Sequence, residues 1–219
     1  MITSSPSPIG FIQKHSLSIR LWHWITYLTL SASLVTVLLG STLFKTKDNV
    51  AMIQEQMQQK GVMVTKDQAR AVAHEYSDKM WDAHKIIGFV LSGLFLLRLF
   101  IEMGQPTEEK ISVKIKKALA FQSSQLAENN EKKHYLLVKR VYILFYAALF
   151  VMALTGLGLA FEDAPFLKDI QRPIKSIHGF VQYVIYGFIL FHIVGVILAE
   201  TGKHRGIVSG MISGAKTDE

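Results

Sequence analysis

The sequence predicts an all-α integral membrane protein, an antiparallel four-helix transmembrane bundle. Three observations carry that expectation. Four long apolar stretches lie at about 19–44, 80–101, 141–161 and 176–200; a helix of ~20 such residues crosses the ~30 Å hydrocarbon core. Half of the 219 residues are hydrophobic, and they are gathered into these blocks rather than spread along the chain. The fourth stretch, SIHGFVQYVIYGFILFHIVGVILAE, holds two histidines, His178 and His192, fourteen residues apart. On a helix that is nearly four whole turns and roughly 21 Å of rise, so both rings leave from almost the same face.

Taken in order, residues 1–18 form a polar tail, residues 19–201 a four-span domain, and residues 202–219 a second polar tail. The first span opens IRLWHWITYLTL, with Trp22 and Trp24 where an interfacial aromatic belt belongs. The mixed-charge segment 45–79 predicts one or two short amphipathic helices broken near Gly61. The second span contains HKIIGFVLSGLFLLRLF. In the polar connection 102–140, EEKISVKIKKALAFQ sets Ile111, Ile115 and Leu119 on one face and Lys110, Lys114 and Lys117 on another, the pattern of a basic helix on a membrane surface. The third span is rich in Gly, Ala and aromatics, and Pro165 and Pro173 mark the short connection to the fourth. No internal repeat is evident. Nor is a cleavable signal peptide, because the N-terminal residues lack an h-region of their own.

Four spans put both termini on one side. Lys and Arg are more frequent in the two tails and the 102–140 connection than in segments 45–79 and 162–175, so the termini are expected to be cytoplasmic. The net charge of +7 lies in the polar segments and bears on this topology. No nucleic-acid-binding motif is present, and the expected surroundings are a lipid bilayer.

That topology sorts the span histidines by depth. His23 lies near the cytoplasmic end of the first span and His192 near the same end of the fourth. His84, at the start of the second span, and His178 lie near the outer face. Ionisable residues within a membrane are costly and by default functional. A lone membrane histidine is more often a packed, hydrogen-bonded residue; four matched in depth on different helices point to ligation of a cofactor. The chain has no cysteine, which excludes disulfides, thiolate metal sites, cysteine-held iron–sulfur clusters and covalently attached c-type haem. Two b-type haems, each held by two histidines, fit: His84 with His178 and His23 with His192, with irons roughly 20 Å apart. Gly88, Gly195 and Gly40 offer room for haem edges, although small residues also serve close helix packing. Arg20 stands by the inner pair as a cation for propionates, and Arg98 could do the same or snorkel. His15, His74, His134 and His204 lie in polar segments and read as solvated or interfacial; His15 is the one best placed to touch a haem or quinone.

The pieces RLWHW (20–24), AHKIIG (83–88), LLRL (96–99), TGLGL (155–159), SIHGF (176–180), FHIVG (191–195) and HRGIVSGMISG (204–214) resemble the cytochrome b561 family, in its bacterial and nickel-hydrogenase type. The resemblance spans nearly all of the chain except the enlarged 45–79 segment and part of 105–135. It implies a multi-pass di-haem cytochrome of the bacterial inner membrane, the same four histidine ligands, and electron transfer between a quinone pool and a redox partner protein or subunit. Two alternatives stay open: a stand-alone quinol or superoxide oxidoreductase of this fold, and a haem-free membrane anchor or metal transporter. Carboxylates mixed with the histidines would mark a transporter, and the spans contain almost none. Because no cysteine can anchor it, haem should leave the purified protein in acid acetone, and reduced-minus-oxidised spectra should have b-type bands; haem that stays on the polypeptide would contradict this.

Overall fold

The computed structural model describes residues 16–122, 126–202 and 206–214. His15 and His204 lie outside these residues. The described residues are helical with no strand, in the order α1 (Leu17–Ser41), α2 (Thr46–Gln59), α3 (Lys66–Gly104), α4 (Ile111–Ala120), α5 (Leu126–Ala160), α6 (Gln171–Thr201) and α7 (Ile207–Ser213), with short 3-10 turns at Thr107–Glu109 and Pro165–Ile170. The helices α1, α3, α5 and α6 are each long and apolar enough to cross a membrane. Large apolar side chains stand exposed along them, Leu28, Phe100 and Phe191 among them at 65%, 66% and 73%. In water such surfaces would drive association; against lipid tails they cost nothing, which is the all-α membrane class expected from the sequence.

The chain divides into two compact units. One holds residues 25–93. Within it α1 and α3 run antiparallel: Thr36 meets His84, and four residues further along α1 Gly40 meets Trp81, three residues earlier on α3. The other unit holds the chain up to Trp24 and from Leu94 onward. Within it α5 and α6 are antiparallel neighbours, since Thr155 lies by His178 while the earlier Phe145 lies by the later Phe188.

Two of the long helices begin well before their apolar stretches. Helix α3 starts at Lys66 instead of near Met80 because Thr65 and Gln68 form a reciprocal cap: the Thr65 amide donates to Gln68 Oε1 (2.8 Å) and the Gln68 amide to Thr65 Oγ1 (3.2 Å). Just before it, α2 ends at Gln59 and the chain turns away through Gly61, whose φ of +77° is a left-handed conformation that glycine reaches without a steric penalty. The break expected near Gly61 is therefore found there. The early part of α3 is polar, and α2 covers its apolar side through Val50 packed on Ala69 and Ala73, with Ile53 and Val64 at the edge.

Helix α5 repeats the arrangement. It starts at Leu126, and its polar first turns are covered by α4 through Ala118 on Tyr135, flanked by Phe121 and Leu136. The Lys132 ammonium donates to the carbonyls of Leu119 and Phe121, satisfying the last turn of α4 where a cation is favoured. The basic helix expected near 110–117 thus exists, with Ala118 turned onto α5 and Leu119 left exposed.

Ala73 is fully buried between α2 and α3. Ala73→Leu should overpack this seam at a cost of about 1–3 kcal/mol. Hydrogen exchange should then show lost protection in α2 and an unchanged rate in α5 and α6.

Candidate functional site

The first turns of α1, the end of α6 and the α7 segment build one cluster. His23 on α1 and His192 on α6 have ring centres 6.2 Å apart, with planes tilted by 57°. Phe188, one turn before His192, stacks on its ring at 5.6 Å and 9°, and Phe145 of α5 stacks on Phe188 at 3.9 Å and 13°. This aromatic column fixes the plane of His192. On the other side, Trp24 sets its ring perpendicular to His23 at 5.3 Å.

The neighbours of His23 along α1 anchor its backbone. Trp22 donates from Nε1 to the Leu94 carbonyl (2.7 Å) and Trp24 to the Met211 carbonyl (3.0 Å). Arg20 donates from Nη1 to the Ile212 carbonyl (2.8 Å). Helix α7 is in turn held at its start by Glu200, whose carboxylate accepts from the amides of Gly206 (3.2 Å) and Val208 (3.1 Å). Gly206 and Gly214 bound this helix with φ of +90° and +73°, and a Cβ on Gly214 would lie 2.6 Å from the Arg20 guanidinium carbon. The left-handed conformation favours glycine at Gly214, and a side chain there would also have to push the Arg20 guanidinium aside.

Arg98 of α3 does not snorkel to solvent. It is 7% exposed, lies over the rings of Trp22 and Tyr146, donates to the Tyr146 hydroxyl (3.2 Å) and pairs with Glu102 (3.1 Å). Glu102 also accepts the first amide of α4, from Ile111 (2.7 Å). A buried cation needs such partners. Its Nη1 is buried without a hydrogen-bond partner among the described residues.

His84 and His178 belong to different units, and each has its own surroundings. His84 Nδ1 lies 2.8 Å from Thr36 Oγ1 of α1, and Trp81 presents its edge to the imidazole at 5.6 Å. His178 Nδ1 lies 2.9 Å from Thr155 Oγ1 of α5. The sequence TGLGL makes this second contact possible. Thr155 reaches the ring, a Cβ on Gly156 would lie 3.3 Å from His178 Cε1, and one on Gly158 would lie 3.2 Å from Ile174. Both glycines let α5 lie close to α6, the use of small residues common between membrane helices.

Among known families, one whose model is described as prokaryotic cytochrome b561 matches residues 14–214. The chain belongs to the prokaryotic cytochrome b561 family. It is a multi-pass membrane b-type cytochrome of electron transfer, and its cofactor is haem b. Comparison with curated proteins and with solved structures returns no match.

The residues of the cytochrome fit that cofactor. A transition metal binds an imidazole nitrogen at ~2.0–2.1 Å, and the ring centre lies about 1 Å behind that nitrogen, so two rings facing one metal have centres roughly 6 Å apart. The 6.2 Å between His23 and His192 is that spacing. Among the described residues no group of three or more His, Asp or Glu could hold a bare metal ion, whereas a haem asks the protein for only two axial ligands. The three glycines singled out for room differ. A Cβ at Gly88 or Gly195 would meet nothing within 4 Å, while at Gly40 it would lie 3.0 Å from the Trp81 indole, so Gly40 serves the packing of α1 on α3. Arg20 is engaged with α7. His74 is exposed and pairs with Asp78, and His134 is exposed on α5.

Thr36 and Thr155 do not stand out in the sequence, because a threonine in an apolar run commonly bonds back to its own helix. Gly156→Val would put branched atoms where the His178 ring lies and displace it from Thr155. Haem content per polypeptide should fall in that variant and stay at the wild-type level in Gly104→Ala, where an added Cβ meets nothing within 4 Å.

Proposed function

We propose that this cytochrome carries two haems b and passes electrons across the membrane between a quinone and a redox partner, as the cytochrome subunit of a larger oxidoreductase of the hydrogenase type. The observation that carries the proposal is the spacing and setting of His23 and His192: two imidazoles one metal-width apart, each braced by aromatic rings. In this reading they hold the haem nearer the cytoplasm, and His84 and His178 hold the haem nearer the outer face. The termini are cytoplasmic, following the excess of Lys and Arg in the tails and the 102–140 connection.

Haem b, once bound, supplies one-electron redox chemistry at its iron. The chain's own residues do the rest. The histidines offer nitrogen lone pairs. The apolar faces of the four long helices keep water from the ligands, and Gly88 and Gly195 leave space beside two of the ligand-bearing helices. Arg98 holds its Nη1 buried without a hydrogen-bond partner among the described residues and suits an anionic group such as a propionate. A quinone site is proposed at the cytoplasmic level, where Arg20, Trp24 and α7 gather beside His23. Co-purification of a partner subunit separates this reading from that of a stand-alone oxidoreductase.

The experiment is a set of ligand replacements read by haem content and low-spin electron paramagnetic resonance. His84→Ala and His178→Ala should each remove the same signal, and the double replacement should cost little more than either single one, since both belong to one unit of function. His23→Ala combined with His84→Ala should remove both signals. Loss of one and the same signal in His23→Ala and His84→Ala would overturn the pairing.

A further inference from the structure

The two threonine–histidine contacts share a detail that decides where the imidazole protons sit. A hydroxyl has a single proton to donate and two lone pairs to accept with. Thr36 Oγ1 lies 2.7 Å from the Ser33 carbonyl, and Thr155 Oγ1 lies 2.7 Å from the Val151 carbonyl. Those carbonyls can only accept, and the geometry has each hydroxyl donating to its own helix. What each threonine then turns toward the histidine is a lone pair. At 2.8 Å from His84 Nδ1 and 2.9 Å from His178 Nδ1, that lone pair calls for an N–H on Nδ1. A neutral imidazole protonated at Nδ1 carries its own lone pair on Nε2.

The two threonines are also placed alike. Thr36 stands five residues before the last residue of α1, and Thr155 five before the last residue of α5. Each therefore reaches its histidine from the end of the helix antiparallel to it. Two stretches of chain that share little beyond being apolar arrive at one arrangement: carbonyl, hydroxyl, Nδ1.

We propose that Thr36 and Thr155 are matched positioning residues for the haem ligands His84 and His178: they fix both imidazoles as Nδ1–H tautomers, present Nε2 to iron, and make both rings stronger electron donors. The inference rests on the haem-ligand reading given above. A hydrogen bond donated from Nδ1–H to an acceptor raises the basicity of the ligating nitrogen, the familiar effect of an outer partner on a metal-bound histidine. A more basic axial ligand favours ferric over ferrous iron, so the two threonines lower the potential of the haem they serve. The histidines at the other level have different aromatic neighbours, with Phe188 stacked on His192 and the Trp24 ring perpendicular to His23. The threonines thus give the cytochrome one means of separating the potentials of its two haems.

The test uses the full-length protein in membranes, with potentiometric titration and low-spin electron paramagnetic resonance on Thr36→Val, Thr155→Val, Thr36→Ser and Thr155→Ser. Valine keeps the shape and deletes the hydroxyl; serine keeps the hydroxyl. Each valine variant should raise the midpoint potential of one haem and shift its resonance while the other haem is unmoved. The double valine variant should move that same haem further, and the serine variants should keep wild-type values. Two bis-histidine haems with unchanged potentials in both valine variants would overturn the inference and leave the di-haem reading standing. If a valine variant loses its haem, the serine variant decides: wild-type potential supports the hydroxyl's role, and loss with serine as well overturns it. If the wild-type protein binds no haem, the di-haem reading fails, and nitrogen-15 resonances of His84 and His178 judge the tautomer by themselves, protonated Nδ1 supporting the threonine contacts and protonated Nε2 overturning them.

Discussion

An imidazole inside hydrocarbon has two nitrogens to satisfy and no water to satisfy them with. Much of the architecture answers that demand. Thr36 and Thr155 take one nitrogen of His84 and of His178, and glycines at the approach let the helices come close enough for the contact. His192 lies in a column of phenylalanines that fixes its plane. The backbone obeys the same rule, since a helix satisfies its own amides and carbonyls within the bilayer. Helices that satisfy themselves and histidines held from the side are together conditions suited to a cofactor that supplies its own redox chemistry.

The polar ends of the long helices raise a second demand. Helices α3 and α5 run more than a dozen residues beyond their apolar stretches. Alone, such polar ends would be marginal, because propensity contributes little without an apolar face to bury. Each acquires a short amphipathic companion, α2 in one case and α4 in the other, and the seam is sealed by alanines: Ala69 and Ala73, and Ala118. Small residues bring the backbones close and leave the charged positions facing out. The Arg98–Glu102 pair ties the second companion to the site, since Glu102 holds both the guanidinium that lies over Trp22 and the first amide of α4.

The same physics separates what the sequence makes visible from what it hides. Four apolar blocks with four histidines inside them are conspicuous, because a titratable residue within a long apolar run is costly and seldom placed there without a use. Depth alone matches His23 with His192, and their ring centres lie 6.2 Å apart with planes tilted by 57°. The polar starts of α3 and α5 are not legible: charged residues at helical spacing look alike in a loop, a surface helix and the end of a span. Only the cap at Thr65 and Gln68 marks the start of α3. Thr36 and Thr155 are hidden for a different reason. Their hydroxyls bond to their own helices whether or not a histidine lies beyond, so the sequence carries no mark of the second partner. The docking of α7 is equally silent, because it depends on carbonyls of Met211 and Ile212, and every residue possesses a carbonyl.

Helix α7 makes the C-terminal end of the described residues something other than a loose appendage. Its last carbonyls are gripped by Arg20 and Trp24, and its first amides by Glu200. The gripping residues flank His23 on one side and follow His192 on the other. A displacement of α7 is therefore felt by both helices that carry this pair of rings, through Arg20 and Trp24 on α1 and Glu200 on α6. Helix α7 is a handle on the His23–His192 pair, and whatever shifts it shifts their geometry as well.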